Sequence, residues 1–495
     1  MKDRSTYQWG GQVTVFALLV FMLVVSVLAS QYKSALFYAG YTDAVHAAQL
    51  SADAFLATYQ KALRDRYGIL AVDAGYGQTL FAQEQIENQL LGVFTKNMQG
   101  TLINGQIESF ELSDVPIYTW LIDGDWSLFL REIKLNQKET IWIEGMEWII
   151  DQWFTQNDKA ENELTEKKKE ADEAQEELQE STKDEANEQP ATVQDPRDSL
   201  MTIWRQGILY AACPSGYDVS EKTVSMTDVS YPVKDASVMG TIDFKNESSM
   251  LQLFDQWKNI LQPEKFVDGL SETAAVQSYI HSYFQSATKP LADEEPHALN
   301  YEVEYLIGGK ESDSENLKVV LWKLIALRCV FNLSYLMTSP EKNQQVLATA
   351  GALSAAFLVP QFTEVIAFIL KIAWAFAESL SDCRRLLNGG KIPMMKDDDS
   401  WHLTWNQMLS LNEGMLDSNE NAMGWDYDTY LHAFLLIEES DTIYRRMTHV
   451  IEKNIRLMSG YEGFRMKNCV YGILVKYTCD FKSFGIHEVQ TALSY

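Results

Sequence analysis

Cysteine is scarce in this chain: 495 residues contain five cysteines, at positions 213, 329, 383, 469 and 479. No two of them form a CxxC pair, which argues against the usual zinc-knuckle pattern and against a dense disulfide framework. Cys469 and Cys479 could meet across a hairpin, so one disulfide remains an open alternative. The sparse use otherwise predicts free cysteines that are buried as small apolar residues.

Basic residues are also few relative to acidic ones, with 41 Lys and Arg against 69 Asp and Glu and a formal net charge of −28. A surface field of that sign repels phosphate backbones, so we expect no nucleic acid among the partners. The apolar fraction of 46% is enough to build a sizeable core in two or three folded units.

Common catalytic and cofactor-binding motifs are missing as well. The seven histidines form neither HExxH nor a close pair, and there is no GxSxG elbow. Gly308 to Lys310 lacks the first glycine and the Ser or Thr of a phosphate-binding loop. Cys383 stands beside two arginines and is interpreted as a helix-packing residue. We therefore expect no enzymatic activity, no cofactor and no metal site.

Two acidic patterns resemble other kinds of functional site. Asp417 to Asn421 spaces oxygen ligands at alternate positions, as calcium loops do. Its sixth position is Ala422 instead of glycine, and its twelfth is Asp428 instead of a bidentate glutamate. Glu302 and Glu304 would share one face if the segment were extended, as an acid and base pair does. Neither pattern has a second supporting feature.

The strongest feature that is present is an uncharged run from Val13 to Ser30. Its 18 residues nearly reach the roughly twenty helical residues that cross a hydrocarbon core. Apolar side chains cover every face, whereas a buried core helix normally keeps a polar stripe. We interpret the run as a transmembrane helix. A cleaved secretory signal is the closer alternative, because Lys2 and Arg4 form a short positive region before it.

The charges around this run predict its orientation. Lys2 and Arg4 precede it, while Lys33 is the only Lys or Arg in the twenty residues that follow. The positive-inside rule then places the N-terminus in the cytoplasm and the body outside a bacterial cell membrane, as a single-pass protein in the lipid bilayer.

The residues after the run predict that its helix continues. Residues 31–66 contain no proline and no turn cluster, so one long amphipathic helix is expected to enter the body. The predicted packing face comprises Ala35, Tyr38, Ala39, Val45, Ala48, Ala52, Phe55, Leu56, Tyr59 and Leu63. The small residues that would let partner helices approach closely in the membrane are Ala29, Ser30, Ser34, Ala35 and Ala39.

The predicted fold class is α+β, predominantly α, with two outer lobes that contain small β elements. The expected boundaries are a cytoplasmic tail at 1–12, a transmembrane helix at 13–30, a long helix and first lobe at 31–156, an acidic linker at 157–199, and a mainly helical second lobe at 200–495. The linker has fifteen acidic and six basic residues and almost no aromatic ones. Such a composition suits a solvated helix or a disordered tether.

The second lobe carries clear helix signals. Ser312 and Glu315 form a capping-box pattern before a helix over 317–337, and Pro340 suits the first position of the next helix. An apolar stripe over 365–380 ends at Asn388-Gly389, and a further stripe over 443–458 ends at Ser459-Gly460. The acidic turn 397–400 is interpreted as a helix N-terminus.

Other segments of the second lobe predict strands and buried helices. Strand candidates lie near 223–231, near 238–244 and at the C-terminal end. Val346 to Ala377 is nearly all apolar, but Pro360 and Lys371 divide it into runs too short for a bilayer crossing. We therefore expect two buried core helices there.

With these residues in view, the chain resembles an uncharacterised family of bacterial single-pass membrane proteins, a domain of unknown function found mainly in Gram-positive bacteria. The resemblance rests on Gly11 to Phe16, Arg66 to Asp73, Tyr301 to Leu317, Ala373 to Lys396 and Arg445 to Arg456. It implies a relation to components of tight-adherence (Flp-type) pilus assembly, whose TadE/TadG-like minor pilins begin with a similar span and long helix.

The sequence departs from processed minor pilins at one place. Their cleavage motif has glutamate five residues after the glycine, whereas Val15 and Phe16 stand there after Gly10 and Gly11. We expect the anchor to be retained. The leading hypothesis is a non-enzymatic, membrane-anchored component of a tight-adherence pilus or related envelope assembly, with pilus or envelope proteins as partners. The alternative is a membrane-tethered surface hydrolase or a calcium-dependent binding module.

Overall fold

The structure is a computed structural model that describes residues 6–99, 107–122, 124–136, 195–233, 270–291, 295–356, 359–417 and 424–495. The chain forms two compact units. Unit 1 comprises Met1–Glu132 with Ser459–Tyr495, and unit 2 comprises Ile133–Met458. The C-terminal residues therefore belong with the N-terminal helix, whereas the sequence placed them in the second lobe. Most of the acidic linker, residues 157–194, lies outside the described residues.

Unit 1 begins with helix α1 (Thr6–Leu56), followed by α2 (Lys61–Tyr67), α3 (Gln83–Gln99) and α4 (Ser127–Leu135), whose last turn extends into unit 2. The long continuous helix was predicted, but it ends at Leu56 instead of reaching Arg66. The chain turns there because the N–H of Gln60 donates to the Ala71 carbonyl oxygen at 2.8 Å. The Gln60 side chain then caps α2.

A five-stranded antiparallel sheet completes unit 1. Its strands are β1 (Val72–Asp73), β2 (Ile107–Leu112), β3 (Ile117–Trp120), β4 (Cys469–Phe481) and β5 (Gly485–Ser494). β4 is central: β1 and β5 pair with successive parts of one side of it, while β3 and β2 pair with successive parts of its other side. The sheet therefore depends on a strand from the far end of the chain.

Helices α1 and α3 pack on this sheet. Along α3, Ile86, Leu90, Phe94 and Met98 recur every four residues and are buried. The Phe94 ring stacks on the Tyr477 ring with centroids 4.0 Å apart. This layer forms the described core of unit 1.

Unit 2 is mainly helical. Its helices are α5 (Pro196–Trp204), α6 (Ile208–Ala212), α7 (Leu270–Tyr283), α8 (Glu302–Gly308), α9 (Asp313–Thr338), α10 (Pro340–Ala356), α11 (Thr363–Leu387), α12 (Trp405–Leu409), α13 (Glu413–Leu416), α14 (Tyr427–Ile437) and α15 (Ser440–Arg456). Together with unit 1 they make the fold α+β and predominantly α, as predicted. The predicted helices over 317–337, 365–380 and 443–458 correspond to α9, α11 and α15, and Pro340 begins α10.

Four local predictions were wrong. Ser312 is the N-cap of α9 but makes no side-chain capping hydrogen bond, so the predicted capping box does not form. Asp397 accepts hydrogen bonds from Ser400 in a turn, and the next helix starts only at Trp405. Residues 223–231 contain one isolated bridge, Thr223 to Ser312, instead of a strand. The linker ends earlier than expected, because Pro196 already begins α5. The strand candidate 238–244 lies outside the described residues.

The five cysteines are free and buried. Cys469 and Cys479 lie on the same strand, β4, ten residues or about 33 Å apart, so the disulfide alternative is wrong. Burial raises the pKa of the Cys213 thiol to about 12 and that of Cys479 to about 11. These side chains pack as small apolar groups.

Candidate functional site

Two helices in the described part of the chain are long and apolar enough to cross a membrane, and they differ in their surroundings. The first is Gln12–Leu56, and its most apolar stretch is exposed. The second is Asp313–Thr338, and most of its apolar stretch is buried inside the protein. The second is a core helix of unit 2. We use "exposed segment" for residues 12–33 of α1, every one of which is exposed.

The exposed segment belongs to an uncharged stretch whose length matches the thickness of a bilayer. Phe16 and Phe21 are 69% and 67% exposed, although free phenylalanine side chains are costly in water. The uncharged stretch from Ser5 to Tyr32 is 28 residues long, about 42 Å as a helix. A bilayer with its headgroup layers is about 40–45 Å thick. The length of this stretch therefore matches a full crossing.

Polar groups inside the exposed segment are compatible with lipid. The Ser26 hydroxyl donates to the Leu23 carbonyl oxygen of the preceding turn at 2.8 Å. A hydroxyl bonded within its own helix does not require water. Trp9 and Tyr32 stand near the two ends of the stretch in sequence, where aromatic residues are typical of membrane interfaces.

The second half of α1 is fixed to the sheet. Ser51 Oγ lies 2.8 Å from the Tyr477 hydroxyl, and the Tyr495 hydroxyl donates to the Leu56 carbonyl oxygen. Near the other end of the packed half, the Phe37 ring lies 5.1 Å from that of Phe481. α1 therefore runs antiparallel to β4 and parallel to β5. Because the helix is continuous, this packing sets the direction in which the exposed segment extends from the sheet.

The packing face of α1 differs from the predicted one. Ala35 and Tyr38, which the sequence placed on it, are exposed. The face is formed by Phe37, Gly40, Tyr41, Ala44, Val45, Ala47, Ala48, Ser51, Ala52, Phe55 and Leu56. Val45, Ala48, Ala52, Phe55 and Leu56 were in the prediction and are confirmed. The sequence missed Phe37 and Ser51 because their partners are on β4 and β5, more than 400 residues away.

The five small residues proposed for helix packing fall on two sides of α1. Ser30 lies seven residues before Phe37 and Ser34 three, which places both on the side that faces the sheet further along. Ala35 and Ala39 stand two residues on either side of Phe37 and lie on the opposite side. Ala29, Ser30 and Ala35 are exposed, whereas Ser34 and Ala39 are partly buried. The structure thus brings no single five-residue stripe together.

Unit 2 contains a buried charged cluster that joins α9, α11 and the loop after α11. Lys396 Nζ pairs with Glu378 and lies 2.6 Å from Asp382 Oδ1, while Arg328 Nε donates to Asp382 Oδ2 at 2.9 Å. Burial alone would raise the pKa of Asp382, but Lys396 and Arg328 outweigh it and lower the pKa to about 2. The two cations balance the charge of the two anions. Their ion pairs tie the loop to α11 and α11 to α9.

Glu302 and Glu304 lie on helix α8, so the extended arrangement that would make them an acid and base pair does not form. Both are fully buried. Glu302 Oε1 lies 2.7 Å from His297 Nδ1, while Glu304 Oε1 accepts hydrogen bonds from the Ala287 N–H and the Tyr427 hydroxyl. Burial raises the pKa of Glu304 to about 8, which makes it a neutral acid at pH 7. The two carboxyl groups hold different segments.

The acidic residues of the calcium-like pattern have other partners. Asp417 pairs with Arg384 at 3.1 Å, Asp426 caps α14, and Asp428 accepts a hydrogen bond from Ser286 at 2.6 Å. Residues 418–423 lie outside the described residues. Among the residues that are described, no group of three or more His, Cys, Asp or Glu side chains is placed to hold a metal ion.

Comparison with known proteins gives one match. The model of a family of unknown function, DUF5702, matches residues 186–481. The matched region contains most of unit 2 and ends at the last residue of β4. No curated protein and no solved structure matches the chain.

Proposed function

Because the chain belongs to DUF5702, a family of unknown function, its role has to be inferred from the molecule itself, and we propose a non-enzymatic, membrane-anchored component of an envelope assembly. The observation that carries the proposal is the uninterrupted helix α1, whose first half is exposed and apolar and whose second half is packed on the sheet. This arrangement presents a folded body at a set angle to a lipid bilayer.

A tight-adherence pilus is the apparatus that suits this design best. In minor pilins the first half of a long helix is apolar and the second half carries the folded body, and α1 has the same plan. In our proposal residues 1–12 are cytoplasmic, α1 crosses the membrane once, and the rest of unit 1 lies outside together with unit 2. Assembly proteins contact the exposed helix and the outer surfaces.

The buried charged side chains of unit 2 support a structural role for that unit. The cluster of Lys396, Glu378, Asp382 and Arg328 is closed to solvent, and each of these groups is used to hold another part of the fold. Catalytic groups normally need access to a substrate, which these groups lack.

A helix substitution tests whether α1 recognises partners. Ala35 is exposed and lies opposite the face that packs on the sheet, so Ala35→Leu should leave unit 1 folded. If partner helices approach there, the larger side chain separates the backbones and co-purification of membrane partners should fall several-fold. The matched control is Gln49→Leu, an exposed position further along α1. Unchanged co-purification for Ala35→Leu and for Ser30→Leu would contradict helix-mediated assembly.

An anchor exchange separates assembly from simple tethering. The exchange has to end before Phe37, because Phe37 and the residues after it form the core of unit 1. Replacing residues 1–30 by an unrelated single-span anchor should keep the folded body at the membrane. We expect surface assembly to be lost in a deletion strain that carries this chimera. Full complementation would show that the span acts only as a tether.

A further inference from the structure

The turn between β4 and β5 carries exposed apolar side chains. Phe484 is 39% exposed and Ile486 is 69% exposed. We use "hairpin tip" for residues 482–486, all of which are exposed. Single exposed apolar residues are common on soluble proteins, so the position of Phe484 and Ile486 decides whether they indicate a contact surface.

The hairpin tip is a tight turn with its own hydrogen bonds. The Phe484 N–H donates to the Phe481 carbonyl oxygen at 2.8 Å, and His487 Nε2 lies 3.0 Å from the Phe484 carbonyl oxygen. Gly485 follows with φ of +78°, the left-handed conformation that closes three-residue hairpin loops. The tip is therefore a defined end of the sheet, and its side chains have a defined position.

The exposed segment extends away from the sheet at this end. The Phe37 ring lies 4.7 Å from the Phe484 ring and 4.9 Å from the His487 ring. Phe37 follows Ser30, the last residue of the apolar run, by seven residues, or about 10 Å of helix. The headgroup layer on each side of a bilayer is about 5–8 Å deep. Side chains of the tip can therefore reach the headgroups of the membrane that α1 crosses.

The surface of α1 beside the tip has the composition of a membrane interface. Tyr32 and Tyr38 are 66% and 67% exposed. Aromatic residues with a polar group are favoured at headgroup level. Lys33 and Lys482 lie near this end of the sheet, as do the acidic residues Asp43, Glu108, Asp480 and Glu488. Because acidic side chains outnumber basic ones there, the attraction to lipid has to come from apolar and aromatic side chains.

We propose that the hairpin tip is a second membrane contact, in which Phe484 and Ile486 enter the lipid interface beside α1. The contact fixes the tilt of unit 1 on the membrane, because α1 and the hairpin tip then hold it at two separate points. α1 alone would hold it at one point. This inference rests on the proposed insertion of α1 and adds a surface that the anchor does not require.

A fluorescence experiment on the full chain tests the contact. Ser483→Cys is labelled with an environment-sensitive nitrobenzoxadiazole probe and reconstituted in phosphatidylcholine/phosphatidylglycerol vesicles that contain headgroup-level doxyl lipid. The native cysteines are buried, which directs the label to the new thiol. The control site is Ser494→Cys, exposed at the other end of β5 and about 33 Å away. We expect a blue shift and quenching at 483 and neither at 494.

A second set of variants shows which side chains make the contact. Ile486→Ser should reduce quenching of the probe at 483 while the protein still floats with the vesicles. Leu80→Ser is the matched control, because Leu80 is 79% exposed and lies at the far end of the sheet. Its neighbour Thr79 accepts a hydrogen bond from Asn468, the residue just before β4, through its carbonyl oxygen.

The outcomes separate this proposal from the proposed anchoring. Equal water exposure of the probe at 483 and 494, in protein that floats with vesicles, overturns the hairpin contact and leaves the anchor intact. Failure of every variant to float overturns the insertion of α1 and the hairpin contact with it. Quenching at 483 that Ile486→Ser removes and Leu80→Ser preserves supports the proposal.

Discussion

Ser51 and Tyr477 are 426 residues apart in sequence, and their hydroxyl oxygens lie 2.8 Å apart in the buried layer between α1 and β4. Ser51 also donates to the Ala48 carbonyl oxygen within α1 at 2.7 Å, so the Tyr477 hydroxyl is the donor of the bond between them. This contact connects the helix that carries the exposed segment to the C-terminal hairpin. The hydrogen bond therefore links α1 to the last forty residues of the chain.

Replacing Ser51 and replacing Tyr477 should lower the free energy of unfolding by different amounts. Ser51→Ala leaves the Tyr477 hydroxyl buried without this acceptor, whereas Tyr477→Phe leaves Ser51 bonded to Ala48. We expect Ser51→Ala to cost about 1–3 kcal/mol of unfolding free energy and Tyr477→Phe about 1 kcal/mol or less. The measurement is urea unfolding of the detergent-solubilised chain. The double variant should cost less than the sum, and strict additivity would contradict a direct bond.

Glu304 should make the stability of unit 2 depend on pH. Burial raises its pKa from 4.5 to about 8, so the folded state keeps a proton that the unfolded state releases. The folded state binds more protons between pH 4.5 and 8, so stability from this group falls as pH rises through that window, by about 1.4 kcal/mol per pH unit at most.

Glu304→Gln removes this titration. Its unfolding free energy relative to wild type should therefore rise from pH 5 to pH 9, as measured by denaturant unfolding at several pH values. Tyr427→Phe removes a hydrogen bond that lowers the pKa of Glu304, so the loss of stability should begin at the same pH but continue to higher pH in that variant. Parallel pH profiles of wild type and Glu304→Gln would argue against a protonated Glu304.

Lys396 should be among the least replaceable side chains of unit 2. Its ammonium group neutralises Glu378 and Asp382 in a fully buried site. Lys396→Met leaves two carboxylates with Arg328 as the remaining cation, and removing one partner of a buried ion pair typically costs about 3–5 kcal/mol. Thermal unfolding should show a lower Tm for Lys396→Met. Lys391→Met, an exposed change in the same loop, is the control and should have little effect. Adding Glu378→Gln should restore part of the loss.

The proposed topology places Leu80 outside the cell. Leu80 is 79% exposed, so Leu80→Cys gives a thiol that a membrane-impermeant maleimide can reach, while the native cysteines are buried. Intact cells that produce this variant should be labelled without lysis. A cysteine placed at Ser5, before the span, should be labelled only after lysis. The reversed pattern would show that the body is cytoplasmic.

Local sequence patterns were sufficient for the features that depend on near neighbours. The exposed segment was evident from an uninterrupted uncharged run, because crossing a bilayer is a matter of length and composition. Helices α9, α10 and α11 were also evident, since an apolar stripe, Pro340 and Asn388-Gly389 mark helix bodies and ends within a few residues. Residues 302–308 gave no clear helix signal, because every side chain of α8 is buried and no periodic pattern remains.

Tertiary structure alone decided which side of α1 is packed and which residues share unit 1. Many of the residues along α1 are apolar or small, so its sequence fits several packing faces, and β4 and β5 select the face that contains Phe37, Ala44 and Ser51. Nothing local in the last forty residues indicates that they pair with strands near residue 110. Sheet pairing joins segments at any sequence distance, so the position of the hairpin tip beside α1 is evident only in the folded chain.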